Sequence, residues 1–143
     1  MVLYAKDIVE KDFLSMAADA TVLEAARLMK ERRRGFVIVA SPEGGPEGIV
    51  TEWDLVAHVL AESRDPARVR LGDVMSGRLV TVEAHDGIDR VAAVMAERGT
   101  RRVLVVSDGR VLGIIEAKTI LARMKDYIDR ISAQIARTQT PMF

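Results

Sequence analysis

The sequence predicts an α+β fold made of two tandem β-α-β-β-α units packed about a pseudo-twofold axis. Three observations predict it. Unbroken apolar runs of strand length occur twice, at Phe36-Val37-Ile38-Val39-Ala40 and at Val103-Leu104-Val105-Val106. An amphipathic segment with a period near 3.6 precedes each run. The pattern then recurs, offset by 66 residues from Asp7 to Asp73 and by 65 in its last element, which marks a tandem duplication.

In the first unit, Ala5–Val9 reads as a turn of helix and Phe13–Met16 as a brief strand. Asp19 or Thr21 can cap the helix that follows, which carries Val22, Ala25, Ala26, Leu28 and Met29 among charged residues. Gly35 is expected to end it. After the strand 36–40, the Pro- and Gly-rich stretch Ser41–Pro46 reads as a turn. A second strand then leads into a helix through Val56, Val59 and Leu60, broken at Arg64-Asp65-Pro66. The second unit answers element by element: Asp73-Val74-Met75, Leu79–Val82, Val91–Arg98, Val103–Val106 and Gly113–Ile120. Its turn, Ser107–Arg110, is one residue shorter, so the last element is offset by 65. The expected boundaries are 5–62 and 73–125 for the units, 63–72 for the connection and 126–143 for a C-terminal helix extension and tail.

Neither unit can bury a small sheet alone, so the two are expected to pack sheet against sheet with clefts where strand ends meet. The expected core is Val37, Ile38, Val39, Ile49, Val50, Val103, Leu104, Val105, Ile114 and Ile115, with Leu28, Met29, Val94 and Met95 from the helices.

The most informative stretch is Gly48-Ile49-Val50-Thr51-Glu52-Trp53-Asp54-Leu55. Gly48 lets the backbone turn, Ile49 and Val50 suit a strand, and Thr51 can cap the next helix with Asp54 at its third position. One reading is a capping box with Asp54 in place of Glu or Gln. The other is a ligand site at the helix end, where the hydroxyl and free N–H groups hold a phosphate and the carboxylate holds a ribose diol.

Bulk composition narrows the function classes. A chain of 143 residues, 49% hydrophobic and 29% charged, has the make-up of a folded globular protein. Lys+Arg and Asp+Glu balance at 21 each, so no global basic field suggests nucleic acid. With 0 Cys there is no disulfide framework or thiolate metal site, and His58 and His85 alone do not make one. No apolar run approaches the roughly 20 residues needed to cross a bilayer. The N-terminus lacks the order of a signal peptide, so a cytoplasmic protein is the expectation.

The duplication and the motif Gly48-Ile49-Val50-Thr51-Glu52-Trp53-Asp54 together resemble a tandem pair of CBS domains, the repeat named after cystathionine β-synthase. The resemblance spans about residues 5 to 125. It implies a stand-alone, disc-shaped regulatory module, not an enzyme, that binds an adenosine ligand: AMP, ADP, ATP or S-adenosylmethionine. It further implies that Asp54 holds the ribose hydroxyls and Thr51 the phosphate. Adenine would lie against backbone around Ser15, Met16 and Ala18, and against Gly35, Phe36 and Val37. Arg101 and Arg102 would reach across the cleft to the phosphate, which a guanidinium suits. The second unit departs from the motif, with Glu116 for Thr51 and Thr119 for Asp54. One strong site per chain is therefore expected, with AMP favoured because no metal site for a triphosphate is evident.

Other residues admit plainer readings. Arg32-Arg33-Arg34 suits the negative end of a helix, with phosphate contact by Arg33 or Arg34 as the rival. Trp53 packs on a helix surface or at a subunit contact, rather than on a base. The stripe Ile120, Leu121, Met124, Ile128, Ile131 and Ile135 is more apolar surface than a terminal helix leaves in water, so a homodimer is expected. Thr138–Phe143 reads as a tail or a strap. The resemblance also implies an effector protein that receives the signal. The alternative function is a ligand-free interaction module of the same fold.

Overall fold

The computed structural model describes residues 3–138. The chain runs α1 (Ala5–Ile8), β1 (Ser15–Met16), α2 (Val22–Arg32), β2 (Phe36–Ala40), β3 (Pro46–Thr51) and α3 (Glu52–Leu55). It continues as α4 (Leu71–Val74), β4 (Thr81–Glu83), α5 (Ile88–Arg98), β5 (Arg102–Ser107), β6 (Arg110–Glu116) and α6 (Ala117–Thr138). Residues 139–143 of the tail lie outside the described residues. The two sheets are ordered β1-β2-β3 and β4-β5-β6. In each, the first pair is parallel and the second antiparallel, as a β-α-β crossover followed by a hairpin requires. The α+β fold and its two repeats are as the sequence predicts.

The apolar runs are unbroken because both faces of each sheet are covered. Val37, Val39 and Val50 face the helical layer, packing with Val22, Ala25, Met29 and Val59. The alternate residues Phe36 and Ile38 meet Leu104 and Ile114 of the other sheet. Fourteen core positions were expected from the pattern; Leu28 and Ile49 are only half-buried, and the others are buried.

The repeats exchange their leading segments. Ala5 and Ile8 of α1 lie in the core of the second repeat, with Val82, Val91 and Ile115. Val69, Leu71 and Val74 lie in the core of the first. Four bridges fix the exchange: Tyr4 with Gly87, Thr21 with Arg70, Glu10 with Ile114, and Ile49 with Ser76. The repeat offset maps the first onto the second and the third onto the fourth, so the pseudo-twofold holds down to individual backbone pairs. The stretch 63–72 is thus more than a tether. Burying Leu71 fully contributes about 1.5–3 kcal/mol to the first core.

Close approach explains the motif glycines better than turning does. Gly48 lies within β3, and a Cβ there would sit 2.6 Å from Met75 Sδ. Its counterpart Gly113 would meet the Glu10 carbonyl oxygen at 2.2 Å. Gly35 does not end α2 either. Arg33 takes that place, in the left-handed region at φ 54°, whereas its counterpart Gly99 does so at φ 63°. Thr21, not Asp19, caps α2, accepting from Glu24 N–H at 3.1 Å while Glu24 bonds the Thr21 N–H in return. Beyond α3 the helix widens into a π-helical turn over Val56–Leu60, with Ala61 N–H donating to the Val56 carbonyl.

Candidate functional site

At the end of β3, Thr51 stays extended (φ −110°, ψ 168°) before the chain enters α3. Its hydroxyl accepts from Asp54 N–H at 3.3 Å, and Asp54 Oδ2 accepts from the Thr51 N–H at 2.8 Å and hydroxyl at 3.1 Å. The capping box is therefore present. It engages one carboxylate oxygen. The other, Oδ1, has the exposed His58 Nε2 at 3.8 Å, and the Asp54 side chain is 14% exposed. Cap and ligand site are compatible, because a carboxylate has about four acceptor positions.

Thr51 and Asp54 line a cleft of about 300 Å³, at the small end of ligand pockets. Its opposite wall belongs to the second repeat: Ser76, Arg78, Leu79 and Val80 before β4, then Thr100, Arg102, Val103 and Leu104 at the start of β5. The Ile49–Ser76 bridge holds this wall in place, with N–H···O distances of 3.0 and 2.9 Å. Thr100 braces Arg102 by accepting from its N–H at 3.3 Å and donating to its carbonyl at 3.0 Å.

Two arginines line the cleft together with the capped carboxylate. Among the described residues, neither Arg78 nor Arg102 has a carboxylate within 4.0 Å. Arg102 Nε is buried without a hydrogen-bond acceptor, and its guanidinium carbon lies 4.1 Å from the Phe36 ring centroid. An anion in the cleft would supply a charged partner for these arginines at their N–H groups other than the buried Nε.

Of the residues singled out from the sequence, Thr51, Asp54 and Arg102 are brought together in this cleft. Ser15, Met16, Ala18, Gly35, Phe36, Val37 and Arg101 are not among its lining residues. The exchange of leading segments is the physical reason: each strand-to-helix corner faces the other repeat's approach to its sheet, not its own. Val37 is fully buried in the first core, and the carbonyl of Ala18 accepts from Gly72 N–H at 2.9 Å. The Gly35 carbonyl accepts from Glu52 N–H at 3.0 Å, and that of the exposed Arg101 from Ala117 N–H at 2.8 Å. Phe36 lies behind the cleft wall, packed with the lining residue Leu104 and against the Arg102 guanidinium. Ser76, Arg78 and Val80 line the cleft and are not among the residues singled out from the sequence.

The corner of the second repeat is occupied differently. Glu116 has Lys118 Nζ at 3.6 Å, and the Thr119 hydroxyl donates to Glu10 Oε1 at 3.2 Å. Arg34 pairs with Asp12 at 2.6 Å, which accounts for one of the three consecutive arginines. Trp53 is 70% exposed, and no contact among the described residues explains it.

The CBS domain family model matches residues 5–61 and 71–126. The chain belongs to the CBS-domain family. This CBS pair is 31% identical over 116 residues to an uncharacterised protein of Methanopyrus kandleri, covering 80% of this chain and 59% of that one. It thus spans about three fifths of that relative's length. Among solved structures, a hexameric CBS-CP12 protein from bloom-forming cyanobacteria aligns with TM-score 0.72 and 35% identity, over 85% of this chain and 67% of that one. A CBS domain pair in complex with 5′-methylthioadenosine and S-adenosyl-L-methionine aligns with TM-score 0.72 and 25% identity, over 85% and 99%. Among the described residues, no helix is long and apolar enough to cross a membrane.

Proposed function

We propose that this CBS pair is a cytoplasmic regulatory module that binds a phosphate-bearing adenosine ligand, AMP foremost, in the Thr51–Asp54 cleft. The observation that carries the reading is the make-up of the cleft lining: one capped carboxylate, whose second oxygen has the exposed His58 ring at 3.8 Å, and two arginines without a carboxylate partner among the described residues. The carboxylate suits a ribose diol and the arginines suit a phosphate. The adenine edge would be read by backbone groups between Ser76 and Val80, in place of the first-repeat residues expected from the sequence. The related pair that holds 5′-methylthioadenosine and S-adenosyl-L-methionine supports an adenosine ligand. Two arginines favour a phosphate over a sulfonium cation, because like charges repel in a small cleft.

The module has no catalytic role in this reading; binding shifts its affinity for an effector protein. It acts as a homodimer joined through α6. Leu121, Met124, Ile128, Ile131 and Ile135 follow the alternating three- and four-residue spacing of a helix-pairing seam. Leu121, Ile128 and Ile135 are more than half exposed. A second copy offers the identical seam, and twofold pairing satisfies both.

The rival reading is a ligand-free interaction module, favoured by the fact that Thr51 and Asp54 already satisfy each other as a cap. A thermal-shift series with AMP, ADP, ATP, S-adenosylmethionine and adenosine separates the two. Binding to the folded state alone raises the melting temperature. A rise that is largest with AMP supports the sensor, and no rise with any ligand supports the interaction module.

A further inference from the structure

We infer that Phe36 is a positioning residue for the cleft: its ring stacks the Arg102 guanidinium and so sets the cleft's selectivity for an anionic ligand. The inference rests on the proposed ligand reading but assigns a role to a residue outside the cleft lining. Phe36 is 9% exposed and packed among Ile38, Leu104 and Ile114 between the two sheets, so its ring is a fixed platform. The Arg102 guanidinium carbon lies 4.1 Å from the ring centroid, within cation–π range. Arg102 has no carboxylate partner and its Nε has no acceptor among the described residues. The Phe36 ring is thus the contact that orients this cation in the absence of ligand. A ring holds a guanidinium without neutralising it or consuming its N–H donors in the ring plane, which leaves the full charge for a ligand. A carboxylate at position 36 would hold the arginine as well but cancel the field.

The test is calorimetric titration of wild type, Phe36→Leu and Phe36→Tyr with AMP, adenosine and inorganic pyrophosphate. Losing the stack should weaken AMP and pyrophosphate by about three- to tenfold in Phe36→Leu, with adenosine within about twofold of wild type. Phe36→Tyr, which keeps the ring, should restore both anions. Equal losses for AMP and adenosine would show a merely structural role, and unchanged affinities would show no role; either overturns the inference. If wild type binds pyrophosphate but neither AMP nor adenosine, the adenosine reading falls, and the pyrophosphate arm still decides the role of Phe36. If wild type binds neither AMP nor pyrophosphate, the inference falls with them. Should Phe36→Leu not fold, the Arg102 Nε–H resonance of the wild-type protein decides instead. It should be displaced upfield by the ring and move on adding pyrophosphate; a resonance at the free-arginine position, unmoved by pyrophosphate, contradicts the stack.

Discussion

Phe36 and Arg102 are the same position in the two repeats, each the first residue of its central strand, and they touch each other across the pseudo-twofold axis. A duplicated chain that kept the same residue at both positions would place two like side chains face to face there. Two arginines would repel and two phenylalanines would leave both clefts without this cation. The pair actually present gives a cation to one cleft and supports it from the other repeat. The asymmetry between the clefts therefore begins on the axis, as well as at Thr51 and Asp54.

Asp54→Ala should lower AMP affinity by at least tenfold, since a charged acceptor contributes about 1.5–3 kcal/mol. It should also cost about 1 kcal/mol of stability, because the Thr51 N–H and hydroxyl lose their shared acceptor while the Thr51 cap on the residue-54 N–H remains. Thr119→Ala, which removes only an exposed bond to Glu10, should leave AMP affinity unchanged. Calorimetry with a parallel urea titration reads both quantities. An Asp54→Ala protein with wild-type affinity would remove the ribose role.

Gly113→Ala should destabilise the protein by about 2–3 kcal/mol, the upper range for overpacking, because its Cβ would press on the Glu10 backbone and spread the exchanged segments. Gly77→Ala is the control, since nothing lies within 4 Å of its added methyl. Urea midpoints should drop for the first and hold for the second. Equal midpoints would mean that the Glu10–Ile114 bridge gives way without cost.

Arg33→Gly should stabilise the fold. A non-glycine residue in the left-handed region costs about 1–2 kcal/mol, partly offset by the greater unfolded-chain entropy of glycine, leaving about 0.5–1 kcal/mol of gain. Gly99→Ala should cost about 1 kcal/mol at the equivalent helix end, for the converse reason. Thermal melts of the two variants should move in opposite directions.

The fold was legible because the duplication doubles every signal: the run at Val103–Val106 confirms the run at Phe36–Ala40, and apolar residues in both positions of the alternation announce sheets covered on both faces. What was not legible is the exchange of α1 and the 63–72 segment. Periodicity reports which residues are buried, but not under which sheet, and Ile8 would look the same in either core. That gap explains the split in the candidate site. Thr51 and Asp54 are set by a local helix cap, which sequence spacing encodes directly. The facing wall at Ser76, Arg78 and Val80 is set by backbone pairing between Ile49 and Ser76, which no local pattern encodes. Gly48 shows the same limit: its type was visible, while the reason for it, the approach of Met75, is tertiary.

Ile128→Glu combined with Ile131→Glu should convert a dimer into a monomer with its fold intact. Ile128 is 60% exposed within the single chain and Ile131 38%, so the charges meet water, not a core. Sedimentation at micromolar concentration should give a dimer for wild type and a monomer for the variant. A wild-type monomer, or a double variant that still dimerises, would exclude α6 as the seam.

The central claim is one anion-selective adenosine cleft per chain, and calorimetric titration of the wild-type protein with AMP and with adenosine tests it most directly. The account predicts one AMP per chain, with adenosine binding at least about tenfold more weakly for want of a charged partner for the arginines. Two equivalent AMP sites per chain, equal affinities for AMP and adenosine, or no binding of either would contradict it.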